Sequence, residues 1–182
     1  MNSALDADFF ALVRKDLFGG KLTQVIVDNL NDLHGACLQA KITDQRQQAY
    51  VMATTYHETA HTMEPIDEIG KGRGRKYGVA TGPYKKVYYG RGDTQLTWYD
   101  NYLKFEKLLG VPLTRYPELA NDPEISARII TVGMAGGLFT GVSLNRFINA
   151  KICDFVNARK IINGKDKAAL IASYANIFLK AL

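Results

Sequence analysis

Two cysteines, Cys37 and Cys153, in 182 residues are too few for a disulfide framework or a zinc knuckle. Both fall in helical-looking apolar segments and read as reduced core residues. No apolar run approaches the roughly 18 to 20 residues that span a bilayer. Even residues 139–155 are interrupted by Asn145, Arg146, Asn149 and Lys151. The N-terminus carries Asp6 and Asp8 but no basic n-region, so it does not read as a secretory signal, and the chain is expected to be made in a cytoplasm. No internal repeat, low-complexity tail or second module stands out, which leaves one domain over 1–182. The net charge of +5 suits an anionic partner, whether nucleic acid, a membrane surface or an acidic wall polymer, and does not choose among them.

What is present is helical periodicity around one interruption. Phe9, Phe10, Leu12, Val13 and Leu17 recur at spacings of three and four, predicting a helix over 5–17 that stops at Gly19 and Gly20. Thr23 caps a second helix, with Val27, Leu30, Leu33 and Cys37 on one stripe, ending near Lys41. Thr43 or Asp44 caps a third over 45–62. Residues 63–97 lose the periodicity and are rich in glycine, predicting loops with a short hairpin around 84–89. A loop of that length inside a compact domain is usually functional. Helices are expected again over 98–109, 124–139, 144–162 with a break near Asn149, and 165–182; the last is amphipathic and reads as a packed terminal helix, with membrane contact a secondary possibility. The fold class is mainly α, with a cleft beside the glycine-rich region.

His57-Glu58-x-x-His61 matches the arrangement in which two histidines one helical turn apart bind zinc and the glutamate acts as base. A third ligand is hard to find. His34 has no fitting spacing, and Glu64, Asp67 and Glu68 follow the pattern too closely. For His61, a helix C-terminal residue is the better account.

Glycosidic cleavage instead needs an acid to protonate the leaving oxygen and a carboxylate to activate water. Glu58 ends an apolar helix, where desolvation would keep it protonated. Glu68 lies in polar, glycine-rich sequence beside Lys71, Arg73, Arg75 and Lys76, where it would stay ionised.

His57-Glu58-Thr59, then Tyr88-Tyr89-Gly90-Arg91-Gly92-x-x-Gln95-Leu96-Thr97 and Asn101-Tyr102, resembles the signature of glycoside hydrolase family 19, the plant-type chitinases and their bacteriophage endolysin relatives. Residues 9–22 resemble the opening of single-domain phage endolysins of this type, and residues 157–164 the family's late asparagine-glycine element. The resemblance implies a lysozyme-like two-lobed helical domain without a separate wall-binding module. It implies Glu58 as general acid, Glu68 as base in a Met-x-Pro-x-x-Glu loop, and Thr97 helping to hold the attacking water. His57, Tyr89, Gln95, Trp98, Asn101 and Asn163 take substrate-binding positions. Tyr88, Tyr89 and Trp98 read equally as core aromatics, and Arg91 as a residue that fixes its loop. Asp93 stands where many chitinases have a neutral residue and, with Glu64 and Asp67, is an alternative base.

The resemblance further implies inversion, with the carboxyls roughly 6.5 to 9.5 Å apart, and no metal or other cofactor. The chain lacks the cysteines and tryptophan-rich loops of plant chitinases, which points to peptidoglycan: a muramidase-type hydrolase of the N-acetylmuramic acid–N-acetylglucosamine β-1,4 bond, acting as a monomer without nucleic acid. Such a lysin, made in a host cytoplasm, reaches the periplasmic wall through a membrane hole opened by a holin-type partner. Chitinase activity and a zinc-dependent wall peptidase are the alternatives.

Overall fold

The computed structural model describes residues 4–182; the part of the N-terminal signal reading that falls on Met1, Asn2 and Ser3 lies outside the described residues. The chain is mainly helical, with isolated bridges and no strand among the described residues. No helix among them is long and apolar enough to cross a membrane.

Helix α1 (Ala7–Asp16) starts where the Asp6 side chain accepts the Phe9 N–H, and α2 (Gln24–Gln39) where Thr23 accepts that of Ile26. Helix α3 (Gln45–Glu58) is capped by Asp44. Every residue from 48 to 56 is buried, because small and apolar side chains run round its whole circumference. Helices α4 (Tyr99–Leu109) and α5 (Pro123–Gly136) each close on a left-handed glycine, Gly110 and Gly137. α6 (Phe155–Ala158) is a single turn, and α7 (Ala168–Ala181) packs along α3 while α2 packs on α5.

Four expectations are corrected. Helix α3 ends at Glu58 rather than at 62. Thr59 turns its hydroxyl onto the Thr55 carbonyl and accepts the Met63 N–H, and Ala60 and His61 take φ of 51° and 73°. No long helix forms over 144–162. Asn149 accepts the N–H groups of Lys151 and Ile152, and the resulting turn is closed by an Ile148–Cys153 bridge, with only short turns on either side. That turn exposes Cys153, whereas Cys37 is in the core, its thiol pushed up to about 12 by burial. The hairpin falls at Thr81–Lys86 rather than 84–89, and a second tight pair joins Arg91 to Leu96.

Buried side chains gather into two clusters. The larger joins α1, α2, α3, α5, α6 and α7, and the smaller gathers Tyr88, Leu96, Tyr102, Phe105, Leu113, Ala120 and Ile129. Helix α5 contributes to both, and Phe139 packs on both. Phe178 on α7 is fully buried, stacked on Phe9 and edge-on to Tyr56. Phe178→Ala is expected to cost about 3 to 5 kcal/mol, read as a lower urea midpoint with an unchanged slope; a loss under about 1 kcal/mol would mean that α7 is only loosely docked.

Candidate active site

Glu58 is the last residue of α3, so its carboxylate leaves the core where the helix stops. Its side chain is 18% exposed, and Arg159 Nη1 donates to Oε1 at 2.5 Å. The Arg159 side chain is 4% exposed and also donates from Nε to the Asp166 carbonyl at 3.1 Å. The apolar surrounding expected for Glu58 is thus replaced by a buried cation. Sequence reasoning missed this residue, although the signal was there: Arg159 is a charge inside the apolar run Phe155, Ala158, Ile161, and a buried charge requires a partner. Beside the pair, burial holds the His57 imidazole below its ordinary range, against the pull of Glu58. Burial raises the Tyr50 phenol, with Arg159 opposing.

The zinc arrangement does not form. The left-handed turn carries His61 off the helix that bears His57. Its ring stacks on Tyr56 with centroids 4.3 Å apart, and Nε2 stands 3.4 Å from the Tyr174 hydroxyl. Among the described residues no group of three His, Cys, Asp or Glu side chains is placed to hold a metal ion.

Glu68 is fixed rather than loose. Tyr77 donates its hydroxyl to Oε1 at 2.7 Å, the Gly90 N–H donates to Oε2 at 3.1 Å, and the Glu68 N–H donates to the Gly90 carbonyl at 2.7 Å. Gly90 suits this contact because a Cβ there would meet Gln95 Oε1 at 2.8 Å. The bond to Glu68 raises the Tyr77 phenol, keeping it a donor.

The other acids of this region are occupied or buried. Asp67 accepts from Asn121 at 2.6 Å and from Tyr89 at 3.2 Å, and it pairs with Lys71 at 3.2 Å. Against its burial, the bonds from Asn121 and Lys71 hold this carboxyl below its usual range. Asp93 is 4% exposed, tucked against the first turn of α5, where Ser126 Oγ accepts its N–H at 2.8 Å. Burial pushes its carboxyl up to about 7, with Ser126 opposing. Glu64 is exposed just beyond the turn that follows α3.

Arg91 has the loop-fixing role. Its guanidinium lies 3.5 Å from the Tyr89 ring centroid and donates to the Val87 carbonyl and to the Tyr102 hydroxyl, which in turn donates to the Tyr89 carbonyl. Gln95 donates to the Ile66 carbonyl at 2.9 Å, Thr97 to the Gln95 carbonyl at 2.7 Å, and Asn101 to the Thr97 carbonyl at 2.8 Å. These three therefore build the loop with their donors. Tyr88 is a core aromatic, Tyr89 is half-buried, and Trp98 is 48% exposed. Asn163 is exposed, and its N–H donates to the carbonyl of Arg159, the partner of Glu58, at 3.0 Å.

Asp93 gives this loop a pH dependence. Its folded pKa lies above the ordinary 3.8, so the neutral form supports folding fully below about pH 4, and that support is lost as pH rises through about 7. The loss is on the order of 4 kcal/mol. Asp93→Asn is expected to match the wild type near pH 4 and to exceed it in melting temperature at pH 8. A difference that stays constant across that range would exclude Asp93 as the source. Compared with models of protein families and with curated proteins, the sequence matches none.

Proposed function

We propose that the protein is a peptidoglycan hydrolase, a muramidase-type endolysin resembling glycoside hydrolase family 19, built as a lysozyme-like domain whose two lobes correspond to the two buried clusters. The observation that carries the reading is the contrasting setting of two carboxylates at the ends of the segment linking those clusters: Glu58 against buried Arg159, and Glu68 held by Tyr77 and Gly90. Asp67 is engaged by Asn121 and Lys71, and Asp93 is buried, which supports Glu68 over either as the base.

In this mechanism Glu58 takes up a proton from solvent before each turnover and passes it to the leaving glycosidic oxygen. The negative charge left on its carboxylate develops next to the Arg159 guanidinium, already in place and screened from water, so it is met without reorganisation. Glu68 takes a proton from a water on the opposite face of the sugar, and the water oxygen bonds to the anomeric carbon as the bond to the leaving oxygen breaks, inverting the centre. The Tyr77 and Gly90 donors orient Glu68 with its remaining lone pairs directed to that water. The basic loop residues Arg73, Arg75, Lys76, Lys85 and Lys86 are exposed and attract the carboxylates of the wall peptides. A cytoplasmic lysin would reach this substrate through a hole opened by a holin-type partner.

Glu58→Gln, which retains an acceptor for Arg159, is expected to lower release of soluble fragments from purified sacculi by about 10² to 10⁴-fold while wall binding persists. Wild-type digestion should survive EDTA and yield fragments ending in reducing N-acetylmuramic acid. Fragments produced by amide cleavage, or loss of activity to the chelator, would overturn the reading.

A further inference from the structure

A pocket of about 500 Å³ opens between the short turn Lys76–Gly78 and the start of α4, lined among others by Lys76, Tyr77, Thr81, Trp98, Tyr99 and Asp100. It adjoins the reacting groups through one residue: Tyr77 forms part of its wall and also donates to Glu68.

Trp98 is the odd residue in this wall. Its backbone sits at φ 75° and ψ 138°, a conformation that costs a bulky side chain about 1 to 3 kcal/mol. The conformation is imposed by the backbone. The Trp98 N–H donates to the Tyr88 carbonyl, and its own carbonyl accepts from Asn101 and Tyr102 to open α4 without a side-chain cap. Burial does not repay the strain, since the residue is 48% exposed and its ring meets Tyr77 edge-on with centroids 5.4 Å apart. Glycine would occupy this backbone more easily, so packing does not explain why the chain's single tryptophan stands here. An exposed aromatic face beside an acceptor carboxylate, Asp100, and a hydroxyl, Thr81, has the chemistry of a sugar platform. Lys76 adds a cation to the wall.

Resting on the hydrolase reading, we propose that this pocket is a specificity subsite for an N-acetylated sugar bearing a carboxylate, with Trp98 stacking on the sugar and Lys76 pairing with the acid group. The carboxylate comes either from a free lactyl group on the sugar or from the peptide attached to it. Bound there, the sugar lies against Tyr77 and fixes the glycan beside Glu68. A neutral chitin fragment gains the stacking and loses the ion pair.

Because Trp98 is the only tryptophan, its emission reports this pocket directly. The wild-type chain is titrated with three disaccharides too short to be cut: diacetylchitobiose, N-acetylglucosaminyl-N-acetylmuramic acid with a free lactyl group, and the same disaccharide carrying its tetrapeptide. A saturable emission change is expected with at least one acidic ligand at a Kd about tenfold below that of diacetylchitobiose, and the tighter of the two acidic ligands identifies the source of the carboxylate. Lys76→Gln should remove the preference and leave diacetylchitobiose unchanged. Equal affinity for all three, no response of Trp98, or a preference that survives Lys76→Gln would overturn the assignment. If sacculi are not cut yet the Lys76-dependent preference appears, the subsite stands and the hydrolase reading falls. If sacculi are cut without it, the reverse holds.

Discussion

The ion pair between Arg159 and Glu58 ties the local architecture to its chemistry. A guanidinium buried to this depth is strongly unfavourable alone, and removing one partner of such a pair typically costs about 3 to 5 kcal/mol. Its partner Glu58 is the last residue of α3 and meets it at the boundary of the core, where the helix stops. Thr59 supplies the means, drawing its hydroxyl back onto the helix and releasing the chain into a left-handed turn. The same turn separates His61 from His57, so the geometry that presents a carboxylate to its cation also dismantles the zinc-binding alternative. The zinc arrangement would need α3 to continue through His61, and the turn after Glu58 ends it three residues short.

On the other side of the junction the constraint is backbone satisfaction. A long stretch without regular structure leaves its N–H and carbonyl groups to be paired by side chains. Arg91 does much of this, placed between the Tyr89 and Tyr102 rings and reaching the Val87 carbonyl and Asp67. Gln95 reaches across to Ile66 and Asn121 to Gly92. The motif residues nearest the cleft thus spend much of their hydrogen-bonding capacity on shaping it, and the backbone that they hold in turn holds Glu68. Asp93 is the element at odds with this pattern, a carboxyl with a buried Oδ1 that has no protein partner, and it gives the loop a dependence on proton concentration.

Legibility in the sequence followed the physics of each segment. Helices α1, α2, α4 and α5 are legible in their apolar stripes, and α2 in its Thr23 cap as well, whereas the expected span 124–139 overruns the left-handed Gly137 at which α5 closes. The end of α3 was not, since a threonine that bonds its own helix looks in sequence like one more tolerated residue. The 144–162 region misled because Leu144, Ile148, Phe155 and Ile161 have helical spacing yet are delivered to the core by turns, which local periodicity does not distinguish. Glu58 and Glu68 were legible as two carboxylates in dissimilar settings, the contrast on which the proposed function rests. Their partners Arg159 and Tyr77 were not, because each pair joins elements whose approach depends on the tertiary fold.

The different ways in which the two glutamates are held bear on the division of labour between them. A fixed positive charge stabilises the carboxylate left when an acid yields its proton and opposes the protonated form from which it starts; neutral donors orient a base and weaken it less than a cation would. Glu58 has the guanidinium, and Glu68 has a phenol and a backbone N–H. Reversing the roles would set a base against a cation that weakens it and leave the acid without a counter-charge after proton loss. In the proposed hydrolase, the partners therefore bear on the choice of an acid at the helix end and a base in the loop as much as the positions do.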